Sequence, residues 1–237
     1  MNQNIASSLN RADELLRELT SEYDRSLAEK HVSSRAVELT HEVCEKLRGI
    51  LDRVARSYWN QHVASELKAD DQRVAKVYFP ISPDENAFES TIGRWRWKAV
   101  RSKHESVYQY LLSLQPFHNE KRKWLSVLND LAVQGKHIDF VPQKRFEDRV
   151  TTVVGPGGAS IGWTSGVTFS GGIHIMGAPI NPLTQRIVPT PGYSERIETW
   201  VSFMIDGYGV NALGFCQEAC QGTRQITTDM SQMFGLL

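Results

Sequence analysis

Lys136 and His137 follow Gly135 directly, where the apolar pattern of Leu128, Leu131 and Ala132 comes to an end. A histidine titrates near neutral pH and can act as general acid or base. The same residues also suit a plain helix terminus, where glycine follows the last turn and a cation meets the negative end of the dipole. Upstream, Arg48 and Asp52 stand four apart in LRGILDRVA (47–55), a spacing that lets them pair along one helix face. An arginine there could stabilise a charged phosphate in a transition state. As half of a surface ion pair it would contribute only a few tenths of a kcal/mol.

The densest basic stretch is RWRWKAVRSKH (94–104), which contains no acid. Basic side chains neutralise phosphates and indoles stack on bases, so Arg94, Trp95, Arg96, Trp97, Lys98 and Arg101 are candidate nucleic-acid contacts. The alternation at 94–98 equally fits buried tryptophans between solvated arginines. GPGGASIG (155–162) matches neither the dinucleotide fingerprint nor the P-loop, and no helical pattern follows it. It reads as a hairpin turn. Cys216 and Cys220 share a helix face, but no second ligand pair stands at zinc spacing, so neither metal nor cofactor is expected.

These residues need elements to position them. Leu9, Ala12, Leu16, Leu19 and Tyr23 step by three or four, which predicts a helix over 5–29. A second helix is predicted over 35–67, with a stripe of Ala36, Val43, Leu47, Ile50, Leu51, Val54 and Tyr58. A serine at 33 or 34 is available to cap it, and the short turn predicts antiparallel packing. Val77-Tyr78-Phe79 is a short β-prone run stopped by Pro80. Helices are predicted at 85–92, 103–114 and 119–134, with Pro116 marking a boundary. After residue 145, β-branched residues alternate with glycine turns, which predicts short antiparallel strands. The clearest strand is 196–206, and a helix returns over 210–233. Helices followed by strands predict an α+β fold. The expected division is a helical bundle at 1–145 and a small β-sheet with a closing C-terminal helix at 146–237, packed as one unit.

Across 237 residues, 27 basic and 27 acidic side chains cancel, so no global field draws the chain to nucleic acid or membrane. No apolar run approaches the roughly 20 residues that span a bilayer, and the N-terminus lacks a signal-peptide pattern. Three cysteines do not make a disulfide framework and suit a reducing cytoplasm.

Four stretches, in order, resemble a family of uncharacterised bacterial proteins with an HEPN-like helical bundle. LRGILDRVA resembles the family's LRsALDhLA, VYFPIS its FPI strand and turn, LLSLQPF its LesLQPY, and LNDLAVQGKH its LhdLsNxDKHR. The likeness covers about residues 35–140. It implies that Lys136-His137 follows a helix packed near Arg48 and Asp52, with Asp52, Asp130 and Lys136 in supporting places. It also suggests an RNA-cleaving ancestry. Arg25/His31, Arg35/His41 and Arg56/His62 have the Arg-to-His spacing of HEPN ribonucleases, although residues six apart on a regular helix point about 120° away from each other. The chain departs from the family pattern at Arg53, where a histidine is usual. It departs again at Val133, Gly135 and Ile138, which replace Asn, Asp and Arg.

The expectation is therefore an HEPN-like, non-catalytic binding or interaction protein, in phage defence or stress response, with RNA or a protein as partner. Two alternatives stand beside it: a metal-independent endoribonuclease using Arg48 and His137, and a structural subunit of a larger assembly. Val37, Cys44, Ala55 and Trp59 extend the apolar surface of the second helix beyond its main stripe, which points to a homodimer through the face near Trp59.

Overall fold

The structure is a computed structural model that describes residues 3–29, 31–74, 77–94, 97–134 and 143–236. Two long helices begin it, α1 (Gln3–Glu29) and α2 (Ser34–Tyr58). Helix α1 buries Ile5, Leu9, Ala12, Leu15, Leu19 and Tyr23, so Leu15 rather than Leu16 completes the stripe. Ser33 caps α2: its backbone is extended and its Oγ accepts the Ala36 N–H at 3.0 Å. Arg53, late in α2, donates to Ser8 Oγ, early in α1, while Arg35 meets Glu18 at 3.2 Å. The pair is antiparallel, as the short turn requires.

Helix α2 buries a face broader than one stripe because it packs on α1 and also on two later helices, α7 (Lys123–Gln134) and α8 (Ala212–Phe234). After Tyr58 the coil loosens into a π turn at Trp59–Val63 and then tightens into a 3-10 turn at Ala64–Glu66. Short α3 (Ala69–Val74) follows, then α4 (Glu85–Arg94), α5 (Lys98–Lys103) and α6 (Glu105–Ser113). The expected helix at 103–114 is thus divided at His104. Residues 77–80 form no strand, contrary to the β-prone reading, because no neighbouring strand pairs with them.

The strands are β1 (Gln143–Val154), β2 (Ser160–Thr164), β3 (His174–Ile175), β4 (Ala178–Asn181), β5 (Arg186–Ile187), β6 (Ser194–Ile205) and β7 (Val210–Asn211). They form a sheet ordered β2-β1-β6-β7 and a smaller one ordered β3-β4-β5. GPGGASIG is the turn of the β1–β2 hairpin: Val154 pairs with Ser160, and Gly157 and Gly158 take positive φ. The class is α+β, with helices first, small antiparallel sheets and a C-terminal helix.

The chain forms two compact units, one comprising Met1–Lys144 with Phe203–Leu237, the other Arg145–Ser202. The expected 146–237 unit differs from this division because α8 packs on α1, α2 and α7. Within the first unit, the Tyr23 hydroxyl accepts from Phe203 N at 3.1 Å and from Asn211 Nδ2. Asn211 in turn caps α8 by accepting the Gly214 N–H at 2.8 Å. Among the described residues, a core cluster of the second unit comprises Val153, Trp163, Ile175 and Ile180, with Phe169 edge-on to Trp163. Among the described residues, no helix is long and apolar enough to cross a membrane.

Candidate functional site

Arg48 and Asp52 sit one turn apart on the half-buried side of α2, flanked by Leu47 and Leu51, which are fully buried. They pair with each other, Arg48 Nη2 lying 3.2 Å from Asp52 Oδ1. They also grip a single residue elsewhere. Arg48 Nη1 donates to Phe79 O at 3.1 Å, and Asp52 Oδ1 accepts the Phe79 N–H at 2.9 Å. In an extended chain the N–H and C=O of one residue point to the same side, where a neighbouring strand would take both. Here two helix side chains take both. Pro80 holds Phe79 extended, since the residue before proline is driven from the helical region. Burial pulls the Arg48 guanidinium down from its ordinary value, and Asp52 opposes that pull.

Gln115 completes the arrangement from the end of α6. It is fully buried, and its Nε2 donates to Pro80 O at 3.0 Å and to Leu111 O at 2.8 Å. Its Oε1 accepts the Ser82 N–H at 3.0 Å. The FPIS segment therefore has these polar backbone groups satisfied by side chains rather than by a sheet. LRGILD, FPIS and LQP, met separately in the sequence, converge on this one structural joint.

The basic stretch is described in part. Trp97 is fully buried in the core and cannot stack on a base. Arg101 Nη1 lies 2.7 Å from Glu89 Oε2, and its guanidinium sits 5.6 Å from the centre of the Tyr108 ring. Lys103 faces Glu66 at 3.5 Å. Arg94 and Lys98 are described in backbone only, and Trp95 and Arg96 lie outside the described residues. Lys136 and His137 lie outside them too, while Asp130 is exposed on α7. Two of the three Arg/His pairs have their arginines engaged by carboxylates. Arg25 meets Glu22, Arg35 meets Glu18, Glu38 and Glu42, and His41 is buried.

A second constellation has no signal in the sequence. Tyr58 Oη lies 2.9 Å from His104 Nδ1, and His104 Nε2 lies 3.6 Å from Glu66 Oε1. The His62 ring lies against Tyr58, centroids 4.8 Å apart. Burial and the Glu66 charge push the Tyr58 phenol up to about 12, so it stays protonated near neutral pH. Tyr58 is 2 % exposed, which closes its oxygen to a substrate. The cluster staples the end of α2 to the α5–α6 junction.

Cys44 of α2 lies with Cys216 and Cys220 of α8, all three buried as free thiols. A hydrogen bond with Cys44, and then burial, push the Cys216 thiol up, while burial pushes Cys220 up to about 12. These are core thiols, not nucleophiles. The face on which a homodimer was expected is covered within the chain: Cys44, Ala55 and Trp59 are buried and Val37 is half-buried.

Comparison with family models, curated proteins and solved structures returns no match.

Proposed function

We propose that the chain is an HEPN-like binding module without ribonuclease activity. The observation that carries this reading is the joint at Phe79. An arginine that serves a phosphoryl-transfer transition state must present its donors to the substrate. Arg48 instead commits one nitrogen to a backbone carbonyl and another to Asp52, and its side chain is only 14 % exposed. In this reading the residues behind the family likeness are retained for architecture.

The test is cleavage of a fluorogenic single-stranded RNA in the presence of a chelator. Wild type should show no turnover above a His137→Ala variant. Arg48→Ala should lower the unfolding midpoint, since Phe79 O and Asp52 lose their partner. Cleavage by wild type that Arg48→Ala or His137→Ala abolishes, with the midpoint unchanged, would install the ribonuclease instead.

A further inference from the structure

Between the first turns of α1 and the last turns of α2 lies an open cleft of about 460 Å³, within the size range of small-molecule pockets, about 300–1,000 Å³. Its polar lining is Asn4, Ser7, Ser8, Arg53, Arg56 and Ser57, with no carboxylate among the described residues. Six other arginines of this unit, Arg11, Arg25, Arg35, Arg48, Arg101 and Arg224, each meet a carboxylate at between 2.6 and 3.2 Å, whereas Arg17, Arg73 and Arg122 make no ion pair with a described residue. Arg53 instead donates to the neutral Ser8 hydroxyl, and Arg56 makes no ion pair with a described residue. The two stand three apart on α2, so they are neighbours on one face, and like charges so placed repel. Ser8 Oγ donates to Asn4 O at 2.8 Å while accepting from Arg53, which fixes one guanidinium at the cleft wall.

We propose that this cleft binds a phosphomonoester through Arg53 and Arg56. A monoester carries about −1.5 to −2 charges at pH 7, which matches two guanidinium groups. A diester, with one charge, would leave one of them uncompensated. Guanidinium forks suit phosphate oxygens in pairs of hydrogen bonds, and the Ser7 and Ser57 hydroxyls on the cleft lining add donors. The inference deepens the binding-module reading by naming a ligand class. A chain that cleaved RNA could still hold a phosphate here, so the two are decided by different measurements.

Isothermal titration calorimetry at low salt tests it, with inorganic phosphate and adenosine monophosphate as probes. A third arm uses a single-stranded oligonucleotide whose phosphates are all diesters. Wild type should bind the monoester at one saturable site. Arg53→Gln/Arg56→Gln should weaken binding by about tenfold or more, the loss of at least one charge-assisted bond. Arg17→Gln, which removes an exposed charge outside the cleft, should bind as wild type does. Arg53→Lys/Arg56→Lys keeps the charge, loses the forks and should fall between; it also serves if the glutamine variant fails to fold. Three results would overturn the proposal: no saturable binding at tens of millimolar probe, equal binding by the glutamine variant, or tighter binding of the all-diester oligonucleotide than of the monoester.

Discussion

Asp52 and Gln115 take the place of a strand that residues 77–82 do not have. The pairing of Arg48 with Asp52 is legible in the sequence, because four residues is one helical turn. Its partner is not. Phe79 stands 27 residues from Asp52, and Gln115 stands 33 from Ser82 and 35 from Pro80. Local spacing alone therefore describes a surface ion pair worth a few tenths of a kcal/mol. The added backbone bonds change that magnitude, since a buried N–H left without an acceptor costs about 1–3 kcal/mol. Asp52→Ala should lose about that much in urea unfolding. Asp52→Asn keeps an acceptor oxygen for the Phe79 N–H and should lose clearly less. Equal losses in the two variants would leave only the charge of Asp52 and remove the backbone clamp. The fate of Trp97 is equally illegible, because alternation of basic and aromatic residues fits a base-stacking surface and a buried edge alike.

Helices are the most legible elements, because little besides a helix produces a long apolar stripe of period 3.6. Helix α2 is the limit of that reasoning: its stripe marks one face, while its neighbours occupy several, so Cys44, Ala55 and Trp59 look like an outer interface when they are core. The break at His104 has no local signal because the residue it bonds, Tyr58, lies 46 residues away. The packing of α7 against α8 depends on a position that sequence rules misjudge. Gly222 lies within α8, where alanine would ordinarily stabilise by about 1 kcal/mol. A Cβ at Gly222 would fall 2.7 Å from Cε2 of the Trp124 indole and closer still to Cζ2. Overpacking against a rigid, buried ring costs about 1–3 kcal/mol. Gly222→Ala should therefore lower the thermal midpoint, and in a Trp124→Leu background the same change should become neutral or favourable. A midpoint raised by Gly222→Ala in the wild-type background would show that the two helices are not packed as closely as described.

The whole molecule joins two units with very different means of support. The helical unit has one large core built from α1, α2, α4 to α8 and the segment around Phe79. Among the described residues, the second unit buries the apolar side chains of Val153, Trp163, Ile175, Ala178 and Ile180. Elsewhere in that unit Ile161, Val167, Met176, Leu183 and Val188 stand exposed. The order of elements is legible from composition, since β-branched residues and glycine turns replace helical stripes after residue 145. The partition is not, because the chain returns to the helical unit at Phe203, in the middle of the best strand pattern. Hydrophobic burial scales with apolar area removed from water, so the described residues of the second unit have less to set against their chain entropy. Native-state hydrogen exchange should separate the two. The amides of Ile180 and Val188, bonded to Ile173 O at 2.9 Å and Pro179 O at 2.8 Å, should exchange through openings of lower free energy than those of Leu47 and Leu51 in α2. Leu51→Ala, which empties space in the helical core at a cost of about 2–5 kcal/mol, should bring the α2 amides down and leave Ile180 and Val188 where they were. Opening energies that coincide in wild type and fall together in the variant would mean that the molecule unfolds as one cooperative body, with the sheet unit drawing its stability from the helical core.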